Sequence, residues 1–92
     1  MEFAVYVLYS AHFDQIYIGY TSDLINRFHS HNELEQKGFT RRYRPWKVVY
    51  CEFYEGKSLA MKREKELKWA KSREWIRLKL RTEYGTSGFI SA

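Results

Sequence analysis

Cysteine, proline and long apolar stretches are nearly missing from this 92-residue chain, and each scarcity excludes something. A lone Cys51 cannot form an internal disulfide or a cysteine-rich zinc site, and no charged-then-apolar leader opens the sequence, so a reducing, cytoplasmic setting is expected. No apolar run approaches the roughly 20 residues of a membrane span, and the basic residues are not confined to one face of an apolar helix, so no membrane partner is expected. Repeats, low-complexity tracts and linkers are absent, and a chain this short has room for one modest core. The expectation is a single domain over residues 1–85 with a flexible tail over 86–92. Acidic residues are also outnumbered: 11 Asp and Glu against 16 Lys and Arg leave a net charge of +5, which favours polyanionic partners through counterion release.

What is present is aromatic. Aromatics make up 18% of the chain, eight of them Tyr, and with 45% hydrophobic residues overall this is enough to fold without staples. Lys37, Arg41, Arg42, Arg44 and Lys47 crowd around Phe39, Tyr43 and Trp46, the pattern of a phosphate-contacting loop with stacking groups. A solvated loop around Pro45 would look the same if taken alone.

Alternation and turn chemistry predict strands over Phe3–Ser10, Ile16–Tyr20 and Lys47–Tyr54. Helices are expected from about Leu24 to Gln36 after capping oxygens at Thr21, Ser22 and Asp23, from Ser58 to about Lys71, and from Ser72 to Gly85. The order ββαβαα gives an α+β fold, a small three-stranded antiparallel sheet flanked by three helices. A four-residue hairpin loop, Ala11 to Asp14, pairs Ser10 with Gln15 and sets Leu8 opposite Tyr17. Tyr6 then lies diagonal to Tyr17 on one face, and Phe3, Val5, Val7, Ile16 and Ile18 build core on the other.

On the first helix Leu24, Ile25 and Phe28 mark the expected buried stripe, extended by Leu34, with Arg27 and His31 one turn apart on its margin and His29 away from it. On the second, Ala60 and Leu67 mark the buried side, and Glu64 falls about 40° from Ala60, inside the stripe. A carboxylate there must be bridged to a Lys or Arg or coordinate a cation, and spacing alone favours the bridge. Glu66 projects toward the rim, near Lys62.

Together these residues resemble the GIY-YIG nuclease superfamily, and within it the small stand-alone members, over about residues 3 to 70. The first signature reads Ala4-Val5-Tyr6, the second Tyr17-Ile18-Gly19; Arg27 follows ten residues after Tyr17, and His31 four further on. The segments "RRYRPWKVVY" and "KSLAMKREKELK", the latter with Glu64 in its "RE" position, look like the later motifs. The resemblance implies an endonuclease hydrolysing phosphodiesters with one divalent ion, Mg²⁺ or Mn²⁺, held by Glu64. Tyr6 is the expected general base, Arg27 a charged fork for the pentacovalent phosphate, and Tyr17 and His31 groups that position water or phosphate oxygens. Gly19 would leave room beside Tyr17 for a phosphate. The implied substrate is DNA rather than RNA, cut non-specifically or by structure, in repair or recombination, by a monomer with or without a protein partner. Larger members carry an asparagine late in the domain, whereas no Asn follows Asn32 here. That departure supports the alternative, a nucleic-acid-binding module that keeps the scaffold without cutting.

Overall fold

The computed structural model describes residues 1–34 and 38–90, with side chains up to residue 82. Three antiparallel strands, β1 (Glu2–Ser10), β2 (Gln15–Thr21) and β3 (Lys47–Glu55), form one sheet in the order β2-β1-β3. β1 is the middle strand and is covered on both faces, which explains why Ala4 to Ser10 is buried without a break. One face holds Val5, Val7, Tyr9, Ile16 and Ile18 against Ala60, Leu67, Ile76 and Leu80 from the helices α3 (Lys57–Leu67) and α4 (Ala70–Ile90). The opposite face holds Tyr6, Leu8 and Trp46, with Tyr17, Leu24, Phe28 and Cys51 packed around them.

The hairpin has the expected register: Ser10 faces Gln15, Leu8 faces Tyr17, and Tyr6 faces Gly19. Because side chains alternate along a strand, this puts Tyr6 and Tyr17 on one face, their ring centroids 6.3 Å apart.

The helices depart from expectation in instructive ways. The first, α1 (Leu24–His29), is only six residues long; Asp23 caps it by accepting from the Asn26 backbone N–H at 3.2 Å. It passes into a π-helical turn, Ser30–Leu34. The wider turn shifts the helical phase, so His31 rotates inward to 1% exposure while Leu34 stands 58% exposed. Ile25, expected in the core, is 83% exposed, whereas Leu24 and Phe28 of the same short helix pack against the sheet. The expected helix end at Gln36 lies outside the described residues. The basic segment is not all loop: Phe39–Arg42 forms a one-turn helix, α2. Gly56, at φ 90°, rather than Ser58, precedes α3, and α4 begins at Ala70 ahead of Ser72 and passes beyond Gly85.

Candidate active site

β1 and β2 contribute Tyr6, Tyr17 and Gly19, α1 contributes Arg27, and α3 contributes Glu64. The five line one cleft of about 460 Å³ together with Phe3, Tyr20, Thr21 and Lys57. Tyr6 and Tyr17 come from one face of the sheet and Phe3 and Tyr20 from the other, so the cleft wraps around the edge strand β2 and reaches α3.

Tyr6 is almost wholly buried, and its hydroxyl lies 2.9 Å from Nε2 of His31. His31 itself does not line the cleft. It sits behind the tyrosines, its ring centroid 4.7 Å from that of Tyr17 and 6.0 Å from that of Tyr6. Expected to touch water or phosphate directly, His31 is instead an inner support for Tyr6, a consequence of the π-helical turn that carries it inward.

Two polar links hold that turn in place. Asn32 brackets Trp46, its Nδ2 donating to the Trp46 carbonyl at 3.0 Å and its Oδ1 accepting from the Trp46 backbone N–H at 2.7 Å. Arg44 donates from Nε to the His31 carbonyl at 2.6 Å and from Nη2 to the Ser30 carbonyl at 3.2 Å. Arg44 was expected to meet phosphate; two of its guanidinium nitrogens are directed at these carbonyls.

Gly19 also acquires a different reason. A Cβ there would stand 2.6 Å from the Tyr6 hydroxyl oxygen and 2.8 Å from Cζ of the same ring. Tyr6 occupies the direction a side chain would take, so glycine lets the tyrosine lie across β2, while Gly19 itself still borders the cleft.

Arg27 faces both phenols from the exposed side. Burial acts to lower its pKa, but hydrogen bonding and Coulombic attraction to the Tyr6 and Tyr17 oxygens more than reverse this and raise it. The guanidinium is a permanent positive charge beside the two hydroxyls.

The Glu64 side chain is 16% exposed and pairs with Lys68 Nζ at 3.3 Å, four residues on along the chain. Of the two alternatives for a carboxylate at this position the structure shows the bridge to a lysine, and it also places Glu64 at the border of the cleft. Among the described residues no three His, Cys, Asp or Glu side chains gather as a metal cage. One carboxylate facing an open cleft suits a hard ion that keeps several waters and takes further oxygens from a phosphate, as Mg²⁺ does, and does not suit zinc.

Of the remaining basic candidates, Arg41 and Arg42 are exposed on α2, with Arg42 5.4 Å from the centroid of the Tyr43 ring, and Lys47 is exposed at the start of β3. None of these three lines the cleft. Lys37 lies outside the described residues. Sequence reasoning missed Lys57 and Lys68. Lys68 was legible as the i+4 partner of Glu64, the spacing of a helical ion pair; no sequence signal marked Lys57.

Residues 2–77 match the family model described as the GIY-YIG catalytic domain. UPF0213 proteins of Staphylococcus aureus strains Mu3 and Mu50 are each 40% identical to this chain over 63 residues, 68% of this chain and 77% of theirs. The solution NMR structure of a UPF0213 protein from Bacillus halodurans is similar to the whole fold, with a TM-score of 0.54 and 26% identity, covering 95% of this chain and 96% of that one.

Proposed function

The chain belongs to the GIY-YIG catalytic-domain family and, within it, to the UPF0213 proteins, and from that premise we propose that it is a divalent-metal-dependent endonuclease hydrolysing phosphodiester bonds in DNA. The observation that carries the proposal is the convergence of Tyr6, Tyr17, Arg27 and Glu64, from four separate elements, on one cleft.

Each side chain has a chemical task in this reading. The Tyr6 hydroxyl takes a proton from the attacking water, and the His31 Nε2 that it contacts at 2.9 Å relieves it of its own proton when that nitrogen is the acceptor tautomer. Tyr17 orients the water or a phosphate oxygen. Arg27 offers its charged N–H groups to the equatorial oxygens, where negative charge builds in the pentacovalent transition state. Glu64 would hold one Mg²⁺ or Mn²⁺, which would supply Lewis-acid stabilisation of the phosphate and the leaving oxygen. Arg41, Arg42 and Lys47 add positive surface for the flanking nucleic acid, and a role in repair or recombination follows by family association. A cytoplasmic monomer is the simplest form of such an enzyme.

The non-cutting alternative is favoured by one observation, the ion pair through which Lys68 already engages Glu64. One experiment separates the two. Purified protein is incubated with branched, single-stranded and duplex DNA, and with RNA, in Mg²⁺, Mn²⁺ or EDTA, beside the Glu64→Gln variant. Cleavage that needs metal and is lost in the variant supports the nuclease; binding without cleavage in every arm supports the module.

A further inference from the structure

A second groove, of about 410 Å³, adjoins the cleft and shares Tyr17 with it. Its cations come from sites far from the basic cluster of the sequence: Lys68 between α3 and α4, and Arg73 and Arg77 one turn apart on α4. Phe39 of α2 forms another part of its lining, with its ring stacked on Tyr17 at 6.4 Å between centroids.

The cations are held in place by local bonds that leave donors over. Arg73 Nε donates to the Lys68 carbonyl at 3.1 Å, one of its five N–H groups. Arg77 Nη1 donates to Asp14 Oδ1 at 2.8 Å and Nη2 to the Asp14 carbonyl at 3.2 Å, tying α4 to the hairpin tip. Lys68 is paired with Glu64 and Arg77 with Asp14, so three positive charges against two carboxylates leave the groove with a net positive charge, centred on Arg73. Anchored guanidinium forks lose little further entropy on meeting a phosphate.

We propose that this groove is a second phosphate subsite, which takes the backbone of the substrate strand beside the scissile phosphate, with Tyr17 and Phe39 at the boundary between the two sites. The proposal rests on the nuclease reading. It moves the main electrostatic contact from the basic segment around α2 to the α3–α4 junction.

The test is binding of fluorescently labelled DNA by anisotropy, in EDTA, across a salt series. Each phosphate contact contributes about 0.7–0.9 to the slope of log K against log salt. The Arg73→Gln/Arg77→Gln double variant is expected to weaken binding and to lower the slope by about 1.5. Asp14→Asn removes the carboxylate charge but keeps the cation and its bond to the residue 14 carbonyl, and is expected to bind as tightly as the parent or tighter. A parent-like slope in the double variant, or an equal loss in Asp14→Asn, overturns the subsite. If the double variant binds like the parent while cleavage by the parent still requires Glu64, the subsite alone falls; if the parent binds no nucleic acid, the nuclease reading falls with it.

Discussion

The Tyr6 hydroxyl and the Nε2 of His31 stand 2.9 Å apart inside the protein, each with about 1% of its residue exposed. This pair joins the sheet to the π-helical turn, and it also links the proposed base to a group able to exchange a proton with it. Tyr6→Phe therefore has two effects. It leaves Nε2 without this buried partner, a cost of about 1–3 kcal/mol in unfolding free energy, and it lowers cleavage by about 10²–10⁴-fold. Urea unfolding and single-turnover cleavage measure the two separately; full activity in the variant would exclude Tyr6 as the base.

Gly19 tests how closely the tyrosine must lie against β2. In Gly19→Ala the new methyl would meet the Tyr6 oxygen at 2.6 Å, and a packed ring has little freedom to retreat. The expected cost is about 1–3 kcal/mol of stability, with a loss of cleavage larger than the fall in folded protein explains. A variant with parent stability and turnover would show that the ring can shift at no cost.

What the sequence made legible, and what it did not, divides along a physical line. Strand parity made the shared face of Tyr6 and Tyr17 readable, because side chains alternate with a period of two and the short loop between Ser10 and Gln15 left few registers. Helical phase failed beyond Ser30, because a π turn inserts a residue into the count and the periodicity of the sequence does not signal it. His31 and Leu34 consequently exchanged places. The basic cluster poses a different problem. Charge density in sequence says nothing of direction, and Arg44 turns toward carbonyls while Lys68, Arg73 and Arg77, spread through the chain, converge on a groove.

Arg44 gives that distinction a direct test. As a support for the Ser30 and His31 carbonyls it should contribute about 1–3 kcal/mol to stability, so Arg44→Ala lowers the urea midpoint. The salt slope of DNA binding should stay at the parent value for the folded fraction. A slope lowered by about 0.7–0.9 with unchanged stability would restore Arg44 as a phosphate contact.

Away from the cleft, Glu52 sits on β3 beneath Arg63 of α3, with Arg63 Nε and Nη2 donating to its two oxygens at 2.8 and 3.1 Å. The Tyr54 hydroxyl adds a bond at 2.6 Å, and Tyr50 donates to the second oxygen. The Arg63 hydrogen bonds, against the opposing effect of burial and with help from the two phenols, hold the Glu52 carboxyl down at about 2. A carboxyl whose folded value lies below its unfolded one stabilises the fold above the unfolded pKa and loses that contribution as pH falls. The contribution is thus complete at neutral pH and disappears between about pH 4.5 and pH 2. Unfolding midpoints followed over that window should fall in the parent, and fall less steeply in Glu52→Gln, which starts from lower stability at pH 7.

The Glu64–Lys68 pair makes the last prediction a matter of competition. An ammonium 3.3 Å from one oxygen of the carboxylate partly neutralises it, so a divalent ion held by Glu64 would compete with that interaction. Lys68 is 45% exposed, which screens the pair and limits its worth to the upper end for surface ion pairs, about 1 kcal/mol. Lys68→Met should therefore tighten Mn²⁺ binding, measured by calorimetry without substrate, by up to about fivefold. The same change removes a cation from the second groove, so DNA binding in EDTA should weaken while metal affinity rises. These opposite movements in one variant would place Lys68 at the junction of the two sites; a fall in both affinities would mean that Lys68 holds Glu64 in position for the ion instead of competing with it.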